Sequence, residues 1–226
     1  MEELVRVTAG AVTLEGNLTI PEGARGLVLF AHGSGSSRLS PRNQYVARLL
    51  NGARLATLLV DLLTAREEAV DARTAHLRFD IELLAERLVG ITDWLTRRPD
   101  TRDLPVGYFG ASTGAAAALV AAARGDAAAA RGDVVDAIVS RGGRPDLAGR
   151  ALALVRAPTL LIVGENDVEV LELNRRALAH LRCEKRLVVV PGATHLFEEP
   201  GALDQVARLA REWFERHLLP AHARAS

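Results

Sequence analysis

The chain has 226 residues with 28 basic and 28 acidic side chains, so its formal net charge is zero. The basic residues form no long run, which argues against nucleic acid or an anionic membrane as a partner. A chain of this length builds one well-buried core, and no internal stretch has the composition of a linker. We therefore expect residues 1–226 to form a single domain.

The chain begins with the acidic residues Glu2 and Glu3, where a secretory signal carries basic residues. No apolar run approaches the roughly 20 residues of a membrane-spanning helix. These features predict a cytoplasmic protein. Cys183 is the sole cysteine, so we expect no disulfide within the chain, and we expect neither a metal site nor a cofactor.

Short apolar runs alternate with segments of helical period, the pattern of a mostly parallel sheet with helices on both faces. The predicted strands are Val5–Thr8, Ala11–Ile20, Gly26–Ala31, Leu55–Asp61, Val106–Phe109, Val135–Ser140, Thr159–Val163 and Arg186–Val190. The predicted helices are Pro41–Asn51, Thr74–Thr96, Ser112–Arg124, Val170–Leu181 and Leu203–Leu218. The first two strands alternate apolar with polar residues around Gly10, which predicts an antiparallel hairpin at the edge of an α/β sheet.

Functional side chains in parallel sheets gather at the carboxyl ends of strands. The first parallel strand is followed by the Gly-rich segment His32-Gly-Ser34-Gly-Ser, whose backbone N–H groups can approach a developing oxyanion. We assign Ser34 as the donor from this loop and His32 as a structural anchor. The segment lacks the Gly-Lys-Ser/Thr ending of a nucleotide-binding loop.

The pentapeptide Gly110-Ala-Ser112-Thr-Gly114 lies between the strand Val106–Phe109 and an Ala-rich helix. A Gly-x-Ser-x-Gly turn in this context exposes a serine hydroxyl above the sheet. The pattern predicts Ser112 as a nucleophile and the N–H of Thr113 as a second oxyanion donor.

An activated serine needs a base and an acid. Asp167 follows the strand Thr159–Val163, and His195 follows the strand Arg186–Val190, so the order is serine, carboxylate, histidine. We assign His195 as the general base and Asp167 as its orienting carboxylate. Asp167 has a structural alternative as a helix cap, and Asp146 is the runner-up acid.

With these residues in place, the chain resembles the α/β-hydrolase superfamily and, within it, small dienelactone-hydrolase-like proteins without a lid. The resemblance implies the catalytic set Ser112, Asp167 and His195, with Ser34 and Thr113 at the oxyanion positions and no cap domain. Dienelactone hydrolases use a cysteine as nucleophile, whereas this chain has Ser112. The difference favours a general carboxylester hydrolase over a hydrolase of dienelactone.

Arg141 and Arg144 follow the strand Val135–Ser140, so both are candidates for binding a substrate carboxylate. The structural alternative is an ion pair with Asp146 or Asp80.

Together, these observations predict a serine hydrolase that cleaves a small ester, thioester or lactone through an acyl-enzyme. Two alternatives stay open: acyl transfer with the same residues, and a catalytically silent binding module. The expected partner is a small-molecule acyl substrate, without nucleic acid or membrane, and the sequence does not determine the oligomeric state.

Overall fold

The computed structural model describes residues 2–128 and 135–218, with the side chains of residues 125–128 left undescribed. The strands are β1 (Glu2–Ala9), β2 (Val12–Thr19), β3 (Gly26–Ala31), β4 (Leu55–Val60), β5 (Val106–Ala111), β6 (Ala137–Arg141), β7 (Thr159–Gly164) and β8 (Lys185–Val190). The helices are α1 (Pro41–Gly52), α2 (Ala65–Thr74), α3 (Ile81–Leu95), α4 (Thr113–Ala128), α5 (Val168–His180) and α6 (Ala202–Leu218).

The eight strands form one sheet in the order β1-β2-β4-β3-β5-β6-β7-β8. Pairing is antiparallel among β1, β2 and β4 and parallel from β4 to β8, which confirms the predicted α/β sheet with an antiparallel N-terminal edge. Strands β3 to β7 are buried on both faces, because helices cover each side.

Two hydrophobic cores lie on opposite faces of the sheet. One is built with α3, α4 and α5, and the other with α1 and α6. Between β6 and β7 the chain forms only a kinked 3₁₀ segment, Pro145–Leu154, so the described residues contain no cap domain. None of the helices in the described ranges is both long enough and apolar enough to span a membrane.

The predicted helix Thr74–Thr96 is wrong. The segment divides between the end of α2, a 3₁₀ turn at Leu77–Phe79, and α3. Ala75 ends α2 in a left-handed conformation with φ 51°. The Asp71 carboxylate then accepts the backbone N–H groups of Leu77 and Arg78, and this local bonding replaces the helical ladder.

Helix α2 has a sequence signal that helical periodicity does not detect. Thr64 and Glu67 form a capping box: the Thr64 hydroxyl accepts the Glu67 N–H at 3.2 Å, and the Glu67 carboxylate accepts the Thr64 N–H at 2.8 Å. Asp80 caps α3 in a similar way by accepting the Leu83 N–H at 3.0 Å. The caps at Thr64 and Asp80 mark the starts of two separate helices, α2 and α3.

The order of the strands positions the candidate site. Strands β3 and β5 are neighbours although β4 lies between them in the chain, so the direction of winding reverses at this pair. Loops after such a pair diverge and leave a crevice at the carboxyl edge. The segment after β3 and the turn after β5 therefore border this crevice.

Candidate active site

Ser112 lies on a strained turn between β5 and α4. Its φ is +50°, a conformation that non-glycine residues rarely adopt and that is associated with functional sites. Gly110 and Gly114 make the turn sterically allowed. A Cβ atom on Gly110 would lie 2.4 Å from the Cα of Ala115, and one on Gly114 would lie 2.2 Å from the carbonyl oxygen of Ala31. This is the geometry that the pentapeptide predicts.

The segment after β6 holds the backbone of Ser112 from both sides. The Ser112 N–H donates to the Arg141 carbonyl at 3.3 Å, and the Arg144 N–H donates to the Ser112 carbonyl at 3.1 Å. The buried side chain of Asn174 in α5 fixes this segment by donating to the Gly143 carbonyl at 2.9 Å. Sequence reasoning missed Asn174, because a polar residue within a helix carries no signal of what it contacts.

Gly142 connects this segment to His195. A Cβ atom at Gly142 would lie 3.1 Å from the His195 carbonyl oxygen and 3.5 Å from the His195 Nδ1 atom. The imidazole therefore packs directly against the residue next to Arg141, whose carbonyl accepts the Ser112 N–H. The structure thus brings the loops of Ser112 and His195 together.

Asp167 and His195 form a short hydrogen bond. The His195 Nδ1 atom lies 2.6 Å from an Asp167 carboxylate oxygen. Because a carboxylate can only accept, Nδ1 carries a proton, and in the neutral ring Nε2 therefore keeps its lone pair. The side chain of Asp167 is 14% exposed and that of His195 is 39% exposed, so the ring stays accessible while the carboxylate is shielded.

The structural alternative for Asp167 is a helix cap. Asp167 does occupy the N-cap position of α5, but its side chain makes no capping hydrogen bond. The neighbouring acids are engaged elsewhere. Glu165 accepts the Gly192 N–H at 2.8 Å, and Asp146 binds the Arg144 guanidinium through two bonds of 2.8 and 2.9 Å. Among these acids, Asp167 is the one that bonds to His195.

The loop after β3 packs against Ser112. A Cβ atom on Gly33 would lie 3.0 Å from the Ser112 Cβ, so a side chain at this position would crowd Ser112. The next residue, Ser34, donates its backbone N–H to the hydroxyl of Thr113 at 2.9 Å. The two residues predicted to stabilise an oxyanion are thus in contact beside Ser112, although the Ser34 N–H has a protein acceptor.

His32 holds this loop in place. Its Nε2 accepts the Leu62 N–H at 3.1 Å, and its Nδ1–H donates to the Gly33 carbonyl at 3.0 Å. Burial lowers the pKa of His32 below its ordinary value. The neutral ring is the form that can accept the Leu62 N–H. His32 therefore links the loop after β3 to the segment after β4 through hydrogen bonds.

The two candidate arginines have different surroundings. Arg144 forms the bidentate ion pair with Asp146. Arg141 is only 8% exposed, its Nε is buried without a hydrogen bond, and no residue within 2–128 or 135–218 forms an ion pair with it. Burial and the nearby charge of Arg42 lower the pKa of Arg141 to about 10, so the guanidinium remains charged at neutral pH.

A small cavity adjoins the loop after β3. It measures about 120 Å³ and is bordered by residues 32–36 together with side chains from the segment 61–84. Over the part of the chain that the structure describes, no group of three or more His, Cys, Asp or Glu side chains is arranged to hold a metal ion.

The sheet order, the strained serine turn after β5 and the loops after β7 and β8 define an α/β-hydrolase fold. A solved structure of a dienelactone hydrolase from Anabaena variabilis is 64% identical, with a TM-score of 0.92, and the match covers 96% of this chain and 98% of that one. The chain therefore belongs to the dienelactone hydrolase family. An esterase from Pyrococcus furiosus has the same fold at 16% identity and a TM-score of 0.73, covering 96% of this chain and 92% of that one.

Curated relatives come from two strains of Mycobacterium tuberculosis and are provisionally named phosphoribosyl transferases. They are 62% identical over 217 residues, which is 96% of this chain. The match covers 47% of their length, so the chain spans about half of each. A scan against models of protein families gives no match.

Proposed function

We propose that this protein is a serine hydrolase that cleaves a small carboxylic ester, thioester or lactone through an acyl-enzyme on Ser112. The observation that carries the proposal is the 2.6 Å hydrogen bond between Asp167 and His195, because it leaves Nε2 as a base. The strained backbone of Ser112, which is bonded to the segment 141–144 that packs on this histidine, adds support. The names of the dienelactone hydrolase relative and of the esterase with the same fold agree with the cleavage of an ester or lactone.

The proposed reaction has two halves. His195 Nε2 takes the proton of the Ser112 hydroxyl while the oxygen attacks the acyl carbonyl, and the tetrahedral oxyanion is stabilised beside Thr113 and Ser34. The C–O or C–S bond to the leaving group then breaks, and the leaving group receives that proton from His195. Water repeats the sequence on the acyl-enzyme, releasing the acid and regenerating Ser112.

The name of the Mycobacterium tuberculosis relatives applies to proteins about twice as long as the match. Half of each lies outside the region of similarity, and a transferase activity can reside there. The similarity to this chain therefore does not extend that name to the site around Ser112.

A fluorophosphonate probe tests the nucleophile directly. We expect intact-mass analysis to show one adduct, and peptide mapping to place it on Ser112. Folded Ser112→Ala protein serves as the control and should remain unlabelled. Absence of an adduct on folded wild-type protein would overturn the serine hydrolase proposal and favour a silent binding module.

Partitioning of the acyl group distinguishes hydrolysis from acyl transfer. With a simple aryl ester in water, we expect free acid as the main product both with and without an added small alcohol. An ester of the added alcohol as the dominant product would instead identify the protein as an acyltransferase that uses the same residues.

The acyl substrate is proposed to carry an acidic group bound by Arg141. A buried guanidinium without an ion pair is costly, and a carboxylate offers it two parallel hydrogen bonds. Arg42 lies near enough to lower the pKa of Arg141, but it is itself bonded to Glu198 at 3.1 Å. Arg141 is therefore the cation whose charge a substrate would balance.

We expect Arg141→Met to lower kcat/KM for an acid-bearing half-ester by about 10- to 100-fold, the range of one charge-assisted contact. The corresponding neutral methyl ester should be hydrolysed at close to the wild-type rate, because it has no group for Arg141 to bind. Arg144→Met is the matched control, and it should affect both esters equally. Equal losses on both esters for Arg141→Met would contradict the assignment.

A further inference from the structure

The reaction proposed for Ser112 does not use the side chain of Thr113. Thr113 directly follows Ser112, begins α4 and is 4% exposed. Its hydroxyl accepts the backbone N–H of Ser34 at 2.9 Å. The N–H group that the sequence assigns to the oxyanion is therefore bonded to this hydroxyl instead.

The Thr113 hydroxyl also has a proton to donate. A threonine hydroxyl offers two lone pairs and one proton, and the Ser34 N–H uses one lone pair. Within the described part of the chain, no hydrogen bond from this hydroxyl to an acceptor is formed. The first turn of α4 presents N–H groups rather than carbonyls, so the start of the helix offers donors only.

The Thr113 hydroxyl lies close to the nucleophile, because Thr113 directly follows Ser112. A Cβ atom on Gly33 would lie 3.0 Å from the Cβ of Ser112, and the next residue, Ser34, bonds to Thr113, so the contact between Ser34 and Thr113 lies near Ser112. The residue after the nucleophile is also the one whose backbone N–H faces the acyl oxygen in this type of turn. An acyl oxygen beside that N–H is within the reach of the hydroxyl of the same residue.

We propose that Thr113 supplies two oxyanion donors, its backbone N–H and its side-chain O–H, and that Ser34 acts through the Thr113 hydroxyl. The proposal rests on the proposed acylation of Ser112. Accepting the Ser34 N–H polarises the hydroxyl and strengthens it as a donor. The hydroxyl keeps its proton throughout, and only the strength of its hydrogen bond changes as negative charge develops on the acyl oxygen. Ser34 is then a positioning residue.

The same contact has an alternative, inhibitory role. In that role the Thr113 hydroxyl keeps the Ser34 N–H bonded, and thus unable to bind the oxyanion, until substrate displaces it. The two roles predict opposite results for a variant without the hydroxyl. As an oxyanion donor, the hydroxyl is needed for turnover. In the inhibitory role, its removal frees the Ser34 N–H and raises activity.

The test compares Thr113→Val, which keeps the shape and loses the hydroxyl, with Thr113→Ser, which keeps the hydroxyl. For a small aryl ester we expect Thr113→Val to lower kcat by about 100-fold, as loss of one oxyanion donor does, with KM little changed. Thr113→Ser should retain most of the wild-type kcat. Thr113→Ala replaces the valine variant if the latter is unstable by circular dichroism.

A second measurement separates this role from a structural one. A trifluoromethyl ketone forms a tetrahedral oxyanion adduct on serine, and its affinity should fall in Thr113→Val by about the same factor as kcat. Unchanged or increased kcat in Thr113→Val, with wild-type protein labelled at Ser112, would overturn the Thr113 proposal and leave the serine hydrolase proposal intact. Failure of the fluorophosphonate to label wild-type Ser112 would instead overturn the proposed function itself.

Discussion

We expect the replacement of His195 by alanine to lower kcat for a small ester by roughly 10⁵- to 10⁶-fold, the loss typical of removing the base of a serine hydrolase. The imidazole both takes the serine proton and returns it to the leaving group, so neither half of the reaction proceeds normally without it. Steady-state hydrolysis of an aryl ester measures the loss. The variant should fold, because the ring is 39% exposed and its removal leaves little buried space.

His180 provides the matched control. It is exposed at the end of α5, and His180→Ala should keep the wild-type kcat. The double variant Ser112→Ala/His195→Ala should be no slower than either single variant, because the two side chains act as one unit. Losses that multiply in the double variant, or a His195→Ala enzyme with a tenth of the normal activity, would show that His195 is not the base.

Structural features that depend on residues close together in the chain were predictable from the sequence. The turn at Ser112 needs glycines at 110 and 114 for close packing, and this requirement is visible as a motif. The position of His195 after a strand at the carboxyl edge of the sheet was predictable from the order of strands and loops in the chain. The parallel strands were predicted because apolar runs buried on both faces have a distinctive composition.

Features that depend on contacts between distant residues were not predictable. An ion pair with Asp146 or Asp80 was the structural alternative for both Arg141 and Arg144, and only the folded chain shows that Arg144 takes Asp146 while Arg141 is buried without an ion pair among the described residues. The contact between Ser34 and Thr113 joins positions 79 residues apart. Asn174 likewise acts on Gly143 across two elements of the fold. Such pairings depend on tertiary geometry, which no local pattern encodes.

Several of these contacts involve the same loop, residues 141–144. It receives the Ser112 N–H, donates to the Ser112 carbonyl, packs on His195 and is held by Asn174. The ion pair between Arg144 and Asp146 stiffens the same loop. Asp146 therefore has a structural role beside the site, and its carboxylate is not available to orient His195.

Because Asp146 pairs with Arg144, Asp167 is the carboxylate that bonds to His195. We expect Asp167→Asn to lower kcat by about 10⁴-fold with little change in KM, because an amide can donate to Nδ1 and so stabilise the tautomer that carries its proton on Nε2. A ring protonated at Nε2 cannot accept the serine proton, and the positive charge formed on the ring would also lose its carboxylate partner. The 2.6 Å contact makes His195 strongly dependent on this one acceptor.

Asp146→Asn is the control for the acid, because it makes the same chemical change in a carboxylate bonded to Arg144 instead of His195. We expect it to lower the melting temperature by weakening the 141–144 loop while keeping kcat within about tenfold of wild type, the cost of one weakened charged contact. Kinetics of both variants with one aryl ester, alongside thermal unfolding, compare the two residues directly. A large loss of kcat in Asp146→Asn with Asp167→Asn unaffected would reverse the assignment. In that case the short Asp167–His195 bond would serve only to hold the loop after β8 against the start of α5.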